Sequence, residues 1–274
     1  MAFRSLWFWL ACACLGCQAV APQEPATDEV DTVEAAQTAA QLWEQGQEAM
    51  RKSQPGLAVR CYEKSLALDP RLNRNHLSLA AAYLENGDDG SACLHLEEYV
   101  GAHPDELGIR VHLADLQLRM HKLTDARREF DRCVAGAQDR QEPAYGPLIH
   151  CHARLMEIAE ESEDSYGEHL HRGIGLSLLA RQRGKLPDPD GELSTESLLC
   201  RAAAELTSAH EERPEEARPS FYLSEVWALL DQRQPAIRFL KHAADKAPFS
   251  DMTAAEKRRL QVQCHCLAGE QQIK

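Results

Sequence analysis

A recurrence of small residues at a fixed interval constrains the fold of this chain more than any other feature. Three alanines are spaced 34 residues apart: Ala58, Ala92 and Ala126. A bulky residue follows each alanine by four positions, which is one turn of an α-helix: Tyr62, Leu96 and Phe130. A period of this length, with a small residue beside a large one on each helix face, is typical of stacked helical hairpins.

The same interval recurs at other positions. Pro70 and Pro104 each lie 12 residues after one of the alanines, and Ala236 and Pro248 repeat that gap further along the chain. Small residues also recur at 34-residue spacing earlier in each unit, where two helices must approach closely: Gly46, Ala80 and Ala114. The spacing therefore predicts four similar helix pairs.

The pattern resembles the tetratricopeptide repeat (TPR), whose signature places a small residue at position 8, alanine at 20, an aromatic residue at 24 and proline at 32. Four units match, although the third lacks the terminal proline: 39–72, 73–106, 107–140 and 217–250. The resemblance implies an all-α chain, a right-handed superhelical stack of antiparallel helix pairs. We expect divergent helical hairpins over 141–216, with Ser194 as a helix N-cap, and a capping helix and tail over 251–274.

The composition agrees with a helical, folded chain and argues against nucleic acid as a partner. The sequence is 44% hydrophobic, and its 13 prolines and 15 glycines are few for a fold of sheets and turns. Its 30 basic and 43 acidic residues give a formal net charge of −13. Because that charge repels a phosphate backbone, we expect no nucleic-acid binding.

The N-terminal residues have the pattern of an export signal. Arg4 precedes an apolar run over residues 6–16, which is long enough for a secretory signal and too short to span a bilayer. Leu15-Gly16-Cys17 resembles the lipobox of bacterial lipoproteins, which implies cleavage after residue 16 and lipidation of Cys17. The sequence departs from that motif at Cys14, where the family prefers leucine. The alternatives are an ordinary secretory signal, cleaved near Ala19 or Ala21, and an uncleaved hydrophobic start.

The segment after the predicted signal has the composition of a linker. Residues 17–38 include two prolines and five acidic residues and contain no Lys or Arg, which predicts a flexible acidic tether. We therefore expect an exported protein, anchored by lipid in the periplasm or at the outer membrane. A soluble secreted protein and a cytosolic adaptor are the alternatives.

Two clusters have the residue types of metal sites but not the spacing. His150-Cys151-His152 and Cys264-His265-Cys266 place ligands two residues apart, so on a helix they point about 200° from each other. We expect no metal, no cofactor and no catalytic site, because phosphate loops, nucleophile elbows and zinc-protease motifs are missing from the sequence. The alternative is a metal-dependent factor or enzyme that uses the divergent middle region, around His150 to His152.

The sequence does not determine which cysteines form a disulfide. Seven cysteines lie beyond the signal and anchor, an odd number that cannot all pair within one chain. We interpret most of them as packing residues and allow one disulfide, which the sequence does not identify.

The resemblance also implies a binding surface. In TPR proteins the first helix of each pair lines a groove, and carrying those positions over gives this set: Trp43, Gln47, Met50, Arg51, Arg74, Leu77, Leu84, Val111, Leu118, Arg119 and Phe221. The set is mainly apolar, with arginines at its edges. It predicts a scaffold for an apolar or amphipathic segment with acidic flanks, from another protein of the cell envelope. TPR lipoproteins serve envelope assembly, including outer-membrane protein insertion and pilus biogenesis. The alternative is that these side chains pack between repeats.

Overall fold

A computed structural model describes residues 27–138, 145–183 and 194–272, and all the regular structure in these ranges is helical. The α-helices, numbered along the chain, are α1 Thr27–Arg51, α2 Pro55–Leu68, α3 Arg74–Glu85, α4 Asp89–Ala102, α5 Leu107–Arg119, α6 Leu123–Gln138, α7 Tyr145–Glu161, α8 Ser165–Arg183, α9 Thr195–Glu212, α10 Ala217–Leu229, α11 Arg233–Lys246 and α12 Ala254–Gln272. The predicted all-α class is confirmed. The signal at 1–16 and the lipidation residue Cys17 lie outside the described residues.

The chain divides into two compact units, of which the first ends at Asn75. In this unit α1 packs against α2, and the ring of Tyr62 is fully buried beside Gly46. The buried Ser65 hydroxyl ties the helices together, because it donates a hydrogen bond to the carbonyl of Ala39 at 2.6 Å and accepts one from the amide of Asn75 at 2.9 Å. The hairpin is therefore held by both close packing and a buried polar network.

The start of α1 corrects the expected tether. Residues 27–38 were predicted to be flexible, yet α1 begins at Thr27. The reason lies in the sequence Ala35-Ala36-Gln37-Thr38-Ala39-Ala40, since alanine has the highest helix propensity and Ala39 is fully buried. The acidic composition of the segment alone did not indicate this.

The second unit runs from His76 to the end of the chain and contains three consecutive apolar clusters. One joins α3, α4 and α5, the next joins α5, α6 and α7, and the third joins α8 to α12. Each cluster is made by neighbouring helices, so the core runs from one helix pair to the next, as it does in repeat proteins.

The repeated positions occupy this core. Ala92, Ala126 and Phe130 are fully buried, as the 34-residue spacing predicted. In the last repeat Leu240 is buried but Ala236 is only half-buried, because it lines an open cavity between α10, α11 and α12. The small residue in that repeat is thus under weaker packing constraint than its counterparts.

The C-terminal helix α12 packs against the core as the predicted capping helix, with Leu260 buried there. Ion pairs hold it to α10: Arg259 Nη2 contacts Glu225 Oε2 at 2.6 Å, and Arg218 Nε contacts Glu256 Oε2 at 3.1 Å. Glu256 also accepts a hydrogen bond from the buried Tyr222 hydroxyl at 2.8 Å. Arg259 is therefore part of the contact between α10 and α12.

Two further expectations concern helix ends and membranes. Ser194 is the N-cap of α9, as predicted, and its hydroxyl accepts a hydrogen bond from the backbone N–H of Ser197 at 3.1 Å. None of the described helices combines the length and the apolar character needed to cross a membrane.

Candidate binding cleft

A cleft of about 770 Å³ opens in the second unit, lined by residues of α3, α4, α5 and α7 and of the turn after α5. We call it the cleft. Its lining is Leu84, Asp89, Leu96, His112, Asp115, Leu116, Leu118, Arg119, His121, Arg154, Glu157 and Glu161. Three of the four helices are the first members of successive pairs, which is why the cleft lies where the repeat pattern places a groove.

The apolar part of the cleft is mostly core. Leu96, Leu116 and Leu118 are buried, so they form a floor that contacts neighbouring helices. Leu84 is 39% exposed and is the apolar side chain of the cleft that presents most surface. An apolar group of a ligand would therefore bury its surface against Leu84.

The centre of the cleft is an ion-pair network between α5 and α7. Arg154 Nε donates to Asp115 Oδ1 at 3.1 Å and its Nη1 donates to Glu157 Oε2 at 2.7 Å. His150 also contacts Asp115 Oδ2, at 2.9 Å. The hydrogen bond with Glu157 and the charge of Asp115 raise the pKa of Arg154, which keeps its guanidinium charged.

The charge balance of the cleft is negative. Arg119 contacts Asp89 at 3.2 Å in an exposed pair, and Arg154 is engaged by Asp115 and Glu157. Four carboxylates thus face two guanidinium groups, and Glu161 is the carboxylate without an ion pair among the described residues. The sequence predicted that the arginines would favour a partner with acidic flanks. The net negative charge of the cleft instead favours a partner with a basic group.

The structure brings three of the predicted groove residues into the cleft: Leu84, Leu118 and Arg119. Leu77 instead packs against the cluster of α3, α4 and α5, and Val111 lines a separate cavity between α5, α6 and α7. Leu118 is only 7% exposed, so it contributes mainly to the floor.

Phe221 does not line an accessible groove. It is fully buried, and the guanidinium of Arg259 from α12 lies 5.0 Å from the centre of its ring. The capping helix covers this face of α10, which the repeat pattern could not indicate because α12 lies outside the repeats. A partner therefore has no access to Phe221 in this structure.

The remaining predicted residues belong to the first unit. Trp43 is half-buried, and the guanidinium of Arg74 lies 4.3 Å from its ring centre. Arg51 pairs with Glu48 at 2.6 Å on the surface of α1. Gln47 and Met50 are half-buried on the same helix. Their role in a groove stays a prediction.

Sequence reasoning missed Arg154, Glu157 and Glu161, which form one wall of the cleft. They lie on α7, in the region that does not match the repeat signature, so no register assigned them. A signal was nevertheless present. Leu155 and Ile158 mark the buried face of α7, and these three charged residues lie on other faces of the same helix.

The first of the two histidine and cysteine clusters takes part in packing and polar contacts, whereas in the second only Cys264 packs against the core and His265 and Cys266 are exposed. His152 is buried, with its Nδ1 3.1 Å from Nδ1 of His171, while His150 contacts Asp115. Within the residues that the structure describes, no group of three or more His, Cys, Asp or Glu side chains could hold a metal ion.

Comparison with known proteins gives structural likenesses only. No protein-family model matches the chain, and no curated protein matches it. Among solved structures, MamA is similar at a TM-score of 0.40 and 16% identity, over 76% of this chain and 91% of MamA. YrrB, described as a TPR protein with an unusual peptide-binding site, is similar at 0.34 and 14%, over 82% and 94% of the two chains. PilF of Pseudomonas aeruginosa is similar at 0.38 and 11%, over 84% and 99%.

Proposed function

We propose that this chain is a non-enzymatic TPR-type scaffold that binds a segment of another protein in the cleft. The observation that carries the proposal is the cleft itself, about 770 Å³ between first helices of successive pairs, with an apolar side chain beside charged ones. Stacked helix pairs present such surfaces for protein partners. The proposal needs no cofactor and no metal.

The cleft chemistry narrows the class of segment. Leu84 offers apolar surface, while Asp115, Glu157 and Glu161 supply carboxylates within the same cleft. A segment with a Lys or Arg beside an apolar residue would place its charge near Glu161 and its apolar group on Leu84. Charge complementarity of this kind selects partners and speeds association.

Site-specific photo-cross-linking in the native organism tests this function. Leu84 lies in the cleft and Leu94 is 63% exposed outside it, so replacing each with a photoreactive phenylalanine derivative gives a matched pair. We expect a discrete cross-linked partner from position 84 and none from position 94. Cross-linking from position 94 alone, or from neither position, would contradict a partner site in the cleft.

We also propose that the scaffold is exported and anchored to an envelope membrane through an acylated Cys17. The support is the apolar run at residues 6–16 followed by Leu15-Gly16-Cys17. An intact mass with acylated Cys17 as its first residue would support the anchor, as would release from the membrane fraction by Cys17→Ser. A mass that retains Met1, or that begins beyond Cys17 without acylation, would contradict it.

A further inference from the structure

Two helices of the second unit each place a cysteine in the same apolar cluster. Cys133 of α6 is 2% exposed and Cys151 of α7 is 1% exposed, and both pack with Phe130, Leu148 and Leu155. The helices α6 and α7 also pack directly against each other. Neither thiol takes part in the cleft, so the proposed function does not explain the pair.

The two thiols share one buried environment. The Cys133 thiol donates to the carbonyl of Leu107 at 3.8 Å, and interaction with the Cys133 side chain, together with burial, raises the pKa of Cys151. Both are free thiols in this structure. Their placement in one cluster, along one cavity and on helices that pack against each other favours the short separation that a disulfide requires.

A cavity gives solvent a route to this pair. Cys133 and Cys151 both line a cavity of about 480 Å³ between α5, α6 and α7. Gly108, His112 and Pro147 also line it, and all three are exposed. The cavity therefore connects the surroundings of the buried pair with an exposed rim.

We propose that Cys133 and Cys151 form an intramolecular disulfide in an oxidising compartment. The oxidant is another disulfide, either of a small thiol or of a thiol–disulfide oxidoreductase. One cysteine thiolate attacks it and forms a mixed disulfide, which releases one thiol. The second cysteine thiolate then attacks the protein sulfur of that mixed disulfide, which releases the second thiol. The two cysteines lose two electrons, the incoming disulfide gains them, and the two cysteine protons pass to the released thiolates.

Several of the other cysteines have surroundings unlike this pair. Cys93 donates to the carboxylate of Glu97 at 3.4 Å, and burial raises its pKa to about 11. Cys200 and Cys266 are exposed, on α9 and α12. The sequence allowed one disulfide without identifying it, and the contact between α6 and α7 identifies the pair.

The bond would fix one wall of the cleft. Arg154 lies three residues after Cys151 on α7, so linking α7 to α6 restricts the helix that carries two of the four cleft carboxylates, Glu157 and Glu161. Closing the loop from 133 to 151 also lowers the entropy of the unfolded chain. The disulfide does not depend on whether the cleft binds a partner, and its test measures bond formation directly.

The test uses the full chain, refolded from denaturant in a mixture of reduced and oxidised glutathione so that burial does not limit access. The protein is then alkylated under denaturing conditions and mapped by mass spectrometry. We expect a linked peptide pair containing Cys133 and Cys151, and an unfolding midpoint about 5–10 °C above that of the protein reduced with dithiothreitol. Cys133→Ala and Cys151→Ala should each abolish the linked pair and the shift, whereas Cys200→Ser should preserve both.

Two results would overturn the proposal. One is that Cys133 and Cys151 remain alkylated after refolding in the glutathione mixture, as they are in the reduced protein. The other is that the linked peptides contain a different pair of cysteines. Because the wild-type peptide map alone decides between these outcomes, the conclusion does not depend on whether an alanine variant folds.

Discussion

The Cα atom of Gly46 on α1 lies against the ring of Tyr62 on α2, so closely that a Cβ atom on Gly46 would be 2.4 Å from Tyr62 Cε1. The two residues belong to helices of one pair, 16 positions apart in the sequence. Only glycine permits this approach without moving the ring, which is fully buried. At this position the first repeat has glycine, whereas the next two repeats have Ala80 and Ala114.

Gly46→Ala should therefore destabilise the protein. The added methyl must displace the Tyr62 ring, and overpacking of this kind costs about 1–3 kcal/mol. Gly56→Ala is the matched control in the same unit, because α2 leaves open space around that position. It should be neutral or stabilising by up to about 1 kcal/mol, since alanine favours the helix. Chemical denaturation checks both, and equal effects would contradict the packing described for Gly46.

A buried ion pair between α5 and α6 gives a second prediction. Arg110 Nη1 contacts Glu129 Oε2 at 2.6 Å, both side chains are almost fully buried, and Arg110 Nη2 also donates to the carbonyl of Pro104 at 3.2 Å. Glu129→Leu leaves a buried guanidinium with that carbonyl as its remaining partner, so we expect a loss of about 3 kcal/mol. Chemical denaturation measures this free energy of unfolding.

Replacing both partners removes the uncompensated charge. The double variant Arg110→Met with Glu129→Leu should therefore recover most of the stability lost in Glu129→Leu. If the double variant is clearly less stable than Glu129→Leu alone, the unpaired charge of Arg110 is not the cause of the stability lost in Glu129→Leu.

The pair of buried histidines predicts a dependence of stability on pH. Burial, with a smaller effect from Arg218, lowers the pKa of His152 to about 3, and burial together with His152, Arg218 and Arg127 lowers the pKa of His171. The cavity beside them is also lined by Asp131 of α6, by Asp251, and by Glu256 of α12. Despite these carboxylates, the net effect on both histidine pKa values is a lowering.

The sign follows from the unfolded state. An unfolded histidine binds a proton near pH 6.5, whereas the folded pair stays neutral, so stability is greatest above pH 6.5 and is lost as pH falls towards 3. From pH 7.5 to pH 5 the loss is on the order of 2 kcal/mol for His152, and His171 adds a loss of the same sign. Urea denaturation at the two pH values measures it.

One variant at a buried histidine and one at an exposed histidine separate the effect of this pair from that of the other titrating groups. His171→Gln should reduce the difference in unfolding free energy between pH 7.5 and pH 5. His265→Gln, at an exposed position of α12, should leave the difference unchanged. An unchanged pH dependence in His171→Gln would show that the buried pair does not cause it.

The sequence was sufficient for the parts of the fold that repeat. The recurrence of Ala58, Ala92 and Ala126 located the closely packed helix faces, because a buried small residue leaves a regular mark at a fixed interval. The same reasoning failed for Phe221. Phe221 packs within a cluster that joins α8 to α12, and Arg259 of α12 lies over its ring, a contact made outside the repeats.

The residues of the cleft could be predicted only where they belong to a repeat. Leu84 and Arg119 came from the repeat register, whereas Arg154 and Glu157 lie on a helix without that register. The proposed preference for a basic group could not be read from the sequence. It depends on Arg154 being engaged by Asp115, 39 residues away in the chain.

Binding of short synthetic peptides tests the central claim, that the acidic cleft receives a basic and apolar segment. Fluorescence anisotropy would compare a peptide alternating Lys and Leu with one alternating Glu and Leu. Two double variants are also compared. One carries Glu157→Gln and Glu161→Gln in the cleft, and the other carries Glu98→Gln and Glu160→Gln at exposed positions outside it. We expect the Lys peptide to bind more tightly than the Glu peptide, and we expect only the cleft double variant to weaken binding of the Lys peptide, by roughly three- to tenfold. Equal weakening by both double variants, or equal binding of the two peptides, would contradict the central claim.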